Sequence, residues 1–164
     1  MGTILKGLQR IHWGDLGAAG GVTARDIPAL LSKAAWADEQ TARLAVDELG
    51  SLICELGFVV HEATASTIPF LIELAGAPHV TCRAEVLELL LSVFNGRQWS
   101  AAAQAAPAKY SGGYREQVGW EVKTQHAVRV GQAVYRELVT ATDPQVAEVA
   151  AKLVRAVGEL AAEQ

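Results

Sequence analysis

Apolar positions recur at helical spacing along almost the whole chain. Between Thr41 and Leu56, residues Ala45, Leu49, Leu52, Ile53 and Leu56 share one face, and Arg43, Asp47 and Glu55 point elsewhere. A second helix is predicted from about Thr64. It carries Pro69 in its first turns, apolar Phe70, Leu71 and Leu74, and a stop before Gly76-Ala77-Pro78. The next, from about Thr81 to Phe94, is apolar on two sides. Ala84, Leu87, Leu90, Leu91 and Phe94 form one face, and Val86, Leu89 and Val93 the other. Only Glu85, Glu88 and Ser92 remain as a polar stripe, so this helix is expected between neighbours rather than at an edge. Helix resumes near Gln117 and continues to about Thr140, with Ala127, Val130, Val134 and Leu138 in phase. Asp143-Pro144 then opens a last helix as N-cap and first-turn proline. Its expected buried stripe is Val146, Val149, Ala150, Leu153, Val154, Val157 and Leu160. At the front, Asp26-Ile27-Pro28 repeats that style of helix start, after a shorter helix from Thr3 to about Ile11.

The order lapses between about residues 95 and 116, which hold Gly96, an alanine run, Pro107 and Gly112-Gly113. This reads as an irregular insertion in a single domain spanning residues 1–164. A loop of that length inside a compact domain commonly carries function. The Ala101–Ala106 stretch keeps a high intrinsic helix propensity.

A weak internal repeat accompanies the helices. Pro28-Ala29-Leu30-Leu31 is followed by Asp38, Arg43, Ala45 and Leu49, and Pro69-Phe70-Leu71-Ile72-Glu73-Leu74 by Pro78, Arg83, Ala84 and Leu87. Val134-Tyr135-Arg136-Glu137-Leu138-Val139 precedes Asp143-Pro144, Val146, Ala150 and Leu153. The first two prolines are 41 residues apart, the period of paired-helix repeats. With Glu62-Ala63-Thr64-Ala65 and the Trp120–Val146 segment, this pattern resembles the HEAT repeat family, and most of all small actinobacterial-type members. The resemblance covers roughly residues 13 to 160. The last unit departs from the pattern, with Glu148 near the place where the others have Arg43 and Arg83. The resemblance implies an all-α fold: a right-handed stack of antiparallel helical pairs, a HEAT-like α-solenoid, with a long insertion loop and a binding surface on its concave side. It implies no catalysis.

Composition agrees and adds one refinement. The 164 residues are 51% hydrophobic and only 6% aromatic, which fits a helical domain and excludes intrinsic disorder. Cys54 and Cys82 both lie in apolar helical patterns, as buried thiols in a reducing compartment do. No apolar leader region follows Met1, no spanning-length apolar run occurs, and the expected location is cytoplasmic without membrane contact. The net charge of -4 hides an asymmetry: residues 38–94 carry -7, residues 95–136 carry +4.

Within that basic segment, the stretch from Trp99 to Trp120 also holds four of the ten aromatic residues. Trp99, Tyr110, Tyr114, Arg115, Trp120, Lys123, His126 and Arg129 are candidate binding residues, because Trp, Tyr and Arg dominate binding hot spots. The competing reading is a loop that packs over the helices and leaves its cationic heads in water. Lys123, His126 and Arg129 share a helical ridge suited to an anion or a partner carboxylate. His61-Glu62 is a candidate pair for ligand contact or acid–base work, with helix capping by Glu62 as the structural alternative. His79 and Cys82 have a chelating spacing but no second pair, so no metal is called for. The run Gly17-Ala18-Ala19-Gly20-Gly21 lacks the Gly-Lys-Ser/Thr ending of a phosphate loop. No cofactor is implied.

Three functions compete. The first is a protein-interaction or scaffold module acting through the concave face and the aromatic, basic insertion. The second is a small-molecule binder or enzyme of specialised metabolism, its groove covered by the 95–120 loop. The weakest is a nucleic-acid-binding enzyme, which the acidic central helices oppose. The expected partner is therefore a protein or a small molecule, and whether a reaction occurs stays open.

Overall fold

The computed structural model describes residues 4–163, without the side chains of residues 160–163. Among the described residues the fold is all-α but for one small hairpin. The helices are α1 (Ile27–Trp36), α2 (Glu39–Ile53), α3 (Glu62–Gly76), α4 (Arg83–Asn95), α5 (Gln98–Ala105), α6 (Ala108–Ser111), α7 (Arg115–Val130), α8 (Gln132–Leu138) and α9 (Pro144–Glu163). The hairpin joins β1 (Cys54–Glu55) to β2 (Val59–Val60), antiparallel, with Cys54 opposite Val60. No described helix is long and apolar enough to cross a membrane.

Helix α1 packs on α2, α3 on α4, and α8 on α9. Across these pairs α3 meets α1, α7 and α8, and α4 meets α2, α7 and α9. On one expected face of α4, Ala84, Leu87, Leu90 and Phe94 are buried and Leu91 is partly buried, and on the other Val86, Leu89 and Val93 are buried. The apolar pattern of α4 is thus satisfied by neighbours on all sides. Arg43 ties α2 to the polar stripe of α4, reaching Glu39 at 2.8 Å and Glu85 at 3.1 Å. Arg83 instead turns back and donates to the Ala75 carbonyl at 3.0 Å, near the C-terminus of α3. Asp143 caps α9 as expected, accepting from the Gln145 amide at 2.9 Å. Val146, Val149, Ala150, Leu153 and Val157 are buried along α9, and Leu160 lies outside the described side chains.

Four expectations are corrected. The helix expected from Thr3 to Ile11 is not formed by residues 4–11, and Thr3 lies outside the described residues. The described front of the chain forms two single 3-10 turns, Leu8–Arg10 and Trp13–Asp15. They are held by tertiary contacts: the Leu5 amide donates to Glu73 at 2.7 Å, and Trp13 packs on Phe70 with ring centroids 6.0 Å apart. Second, α2 does not reach Leu56. The chain turns at Leu56 and Gly57, both at positive φ (57° and 87°), and returns as β2. Glycine adopts this conformation freely. Leu56 adopts it at the hairpin tip, 81% exposed. Third, the helix predicted from Gln117 to Thr140 breaks at Gly131, and the break shifts its phase. Glu121, Thr124 and Val128 become the buried face, and Val130 is 71% exposed. Fourth, residues 95–116 are not irregular. They form α5, α6 and a 3-10 turn, Gly112–Tyr114.

Gly131 shows why the break falls where it does. A Cβ there would sit 2.6 Å from the Tyr135 hydroxyl and 2.7 Å from Ile72 Cδ1. The fully buried Tyr135 cannot give way, because its hydroxyl donates to the Val128 carbonyl at 2.8 Å. Gly131→Ala should therefore cost about 1–3 kcal/mol, measured by chemical denaturation. Gly119→Ala, where a Cβ meets nothing within 4 Å, should be neutral or stabilising.

Both cysteines are buried and free, and Cys82 donates to the Ala34 carbonyl at 3.5 Å. Burial pushes each thiol from 9.0 up to about 11, and the nearby Glu85 carboxylate adds to the shift at Cys82. The folded state thus resists forming thiolates that the unfolded chain forms more readily. Stability should hold below pH 9 and fall between about pH 9 and 11. A Cys54→Ala/Cys82→Ala variant should lose less over that window, and the native thiols should label only at the rate of unfolding.

Candidate functional site

The N-terminus of α3, the insertion and the first half of α7 converge. His61 occupies the N-cap position of α3, where its backbone amide donates to the Thr64 hydroxyl at 2.9 Å. Thr64 passes the interaction on to the Ile53 carbonyl at 2.6 Å. The His61 ring turns toward the hairpin and meets Glu55 at 3.0 Å. Glu62, the next residue, points the other way and accepts from the Gly17 amide at 2.8 Å. The His61-Glu62 pair is therefore split between two environments. That separation disfavours joint acid–base work and leaves each group an orienting role.

Trp99 is the anchor of the insertion. Its indole N–H donates to the Val60 carbonyl at 2.7 Å. Its ring lies edge-on to Trp120 at 6.0 Å and to His61 at 6.4 Å, and tilted against Tyr114 at 6.4 Å. His61 and Trp120 complete the cluster at 6.2 Å. These separations are those of attractive aromatic pairs. Four of the sequence candidates, His61, Trp99, Tyr114 and Trp120, thus form one packed unit.

The ends of α4 and α5 carry complementary charges. Arg97 donates to the Phe94 and Gly96 carbonyls at 2.6 and 2.9 Å, at the C-terminus of α4. Glu121, only 1% exposed, reaches from α7 to the N-terminus of α5. It accepts from the Trp99 amide at 2.8 Å, the Ser100 amide at 3.1 Å and the Ser100 hydroxyl. A carboxylate at a helix N-terminus meets unsatisfied N–H groups and the positive end of the dipole. Sequence reasoning missed Glu121 and Ser100. The available signal was an acid in line with Thr124 and Val128 at i, i+3 and i+7, once the break at Gly131 is recognised.

Beside this unit lies a cleft of about 360 Å³ between α3 and α7. Glu62, Ala65 and Ser66 of α3 line it on one side and Arg115, Glu116, Gly119, Trp120 and Lys123 of α7 on the other, together with Leu16. No family model, no curated protein and no solved structure matches this chain. The site is therefore read from its own residues.

The remaining candidates lie apart. Tyr110 is exposed on α6, with the Lys109 ammonium 4.8 Å from its ring centre. On α7, Lys123 and His126 are exposed but Arg129 is partly buried, so the three do not form one solvent-facing ridge. His79 is exposed and Cys82 buried, and no metal-holding cluster of His, Cys, Asp and Glu occurs among the described residues.

Loss of the buried cap should loosen the insertion selectively. Glu121→Ala should cost about 1–3 kcal/mol and speed hydrogen exchange at the amides of residues 99 and 100. Protection in α1 and α2 should stay unchanged, as followed by exchange mass spectrometry.

Proposed function

We propose that this chain is a HEAT-like protein-interaction module that docks a partner with an acidic surface on the insertion and the outer side of α7. Support for the HEAT-like stack comes from the pairing of α1 with α2, α3 with α4 and α8 with α9, and from contacts that run between pairs. Contacts from one pair to the next are those of stacked repeats, with α7 packed in addition across α3 and α4.

The observation that carries the interaction reading is the set of exposed apolar and basic side chains on the insertion and on α7. Tyr110 is 59% exposed on α6, beside the exposed Lys109, and Val122 and Val130 are 60% and 71% exposed on α7, where Lys123 and His126 are exposed as well. Exposed large apolar side chains rimmed by polar ones favour burial against a partner. The base beneath is locked by Trp99, Trp120 and Glu121, so little order has to be imposed on binding. Glu121 is buried, and Arg129, one of the six cations of residues 95–136, is partly buried as well, so the exposed side chains keep the net basic character of the segment. A complementary partner is acidic, and its association is steered by charge.

A partner recovered from the native host and repurified should bind the chain more weakly as salt rises. Tyr110→Ala, and Val122→Asp with Val130→Asp, should each weaken binding at least about tenfold, or 1.4 kcal/mol, by calorimetry. Unchanged affinity in both variants would overturn this reading.

A further inference from the structure

The charges around the α3–α7 cleft are not used by one another. Arg115, Lys123, Glu62 and Glu116 all line it, yet none of the ion pairs within 4.0 Å among the described residues joins any two of them. Arg115, Gly119 and Lys123 are spaced four residues apart on α7, so both cations face one side, about 12 Å apart along the axis. Gly119 between them leaves a notch, since a Cβ there would meet nothing within 4 Å. A glycine inside a helix costs roughly 0.5–1 kcal/mol relative to alanine, and here no packing contact of the fold requires it.

The facing wall supplies acceptors. Glu62 is held in place by the Gly17 amide at 2.8 Å, and Ser66 lies one turn further on. Between them in sequence, Ala65 also lines the cleft. One wall therefore offers cations and the other an anchored carboxylate and a hydroxyl. Glu116 and the Trp120 ring stand at the cationic side.

We propose that this cleft binds a small zwitterion, a free α-amino acid or a dipeptide. Its carboxylate lies against Arg115 and Lys123, and its ammonium against Glu62 and Glu116. The Trp120 ring and Leu16 cover its apolar part. The volume of about 360 Å³ falls at the small end of ligand pockets, which run from about 300 to 1,000 Å³. A ligand of either single charge would leave two like charges of the cleft unanswered, whereas a zwitterion answers both pairs. The cleft shares Lys123 with the outer face but none of Tyr110, Val122 and Val130, and the inference does not rest on the partner reading.

The test is ligand-detected NMR and calorimetry on the full chain, with the common amino acids and a set of dipeptides as probes. N-acetylated and C-amidated forms of each hit serve as single-charge controls. At least one zwitterion should saturate at millimolar concentration or below, and both blocked forms should bind at least about tenfold more weakly. Gly119→Leu, which fills the notch, should abolish binding with an unchanged circular dichroism spectrum. Arg115→Gln should weaken it at least about tenfold, and added salt should weaken it further. Tyr110→Ala should leave it intact. No saturation by any zwitterion in the panel would overturn the proposal, and so would equal binding of blocked forms or full binding by a folded Gly119→Leu variant. Failure of the outer-face variants to affect a protein partner would leave this result unchanged.

Discussion

Helix α4 has apolar residues on two faces, and water can be kept from both only by covering it twice. That constraint organises the molecule. Helix α3 pairs with it, α2 and α9 flank it, and α7 closes over it. The small polar stripe that remains is not idle, since Glu85 receives Arg43 from α2. Burial of this size comes from non-directional apolar contact, so it fixes which helices meet but not the details at their ends. Those details are set by a few directed interactions: Arg83 at the end of α3, Arg97 at the end of α4, and Asp143 at the start of α9.

The insertion follows a different logic. It has no buried residue in α5 or α6 and no core of its own. Its position depends on one indole and one carboxylate. Trp99 joins it to the hairpin through Val60, and Glu121 holds the start of α5 from inside α7. A carboxylate this buried is favourable only when its oxygens are hydrogen-bonded, and three donors from two consecutive residues meet that need. The same anchoring leaves the far side of the insertion and of α7 exposed, and places a charged cleft next to a rigid aromatic unit. Both proposed binding surfaces are consequences of a segment that is fixed at one edge and open at the other.

Much of the helical pattern was legible in the order of residues. The two-sided burial of α4, the capped start of α9 and the buried thiols all follow from local periodicity and local chemistry. What escaped was non-local or depended on a single glycine. The hairpin at 54–60 replaces a last helical turn because Leu56-Gly57 takes positive φ, which apolar periodicity does not register. The break falls at Gly131, where a side chain would collide with Tyr135 and Ile72, the second of which lies on another helix. Once that break is missed, the phase of α7 is wrong, Val130 reads as core and Glu121 is overlooked. Among the site residues, His61, Trp99, Tyr114 and Trp120 were recognisable as types, but their assembly into one cluster spans residues 61 to 120 and has no local signature.

By itself, the order of amino acids determined the all-α class and the charge asymmetry between the acidic centre and the basic insertion. These depend on side-chain type and on spacing of three or four residues, which every helix expresses without its neighbours. Tertiary structure alone decided that the insertion is helical and pinned, that His61 and Glu62 part company, and that four charges line one cleft unpaired. Each of those outcomes depends on distances between segments far apart in the chain, and such distances are set by how the helices pack rather than by any one helix.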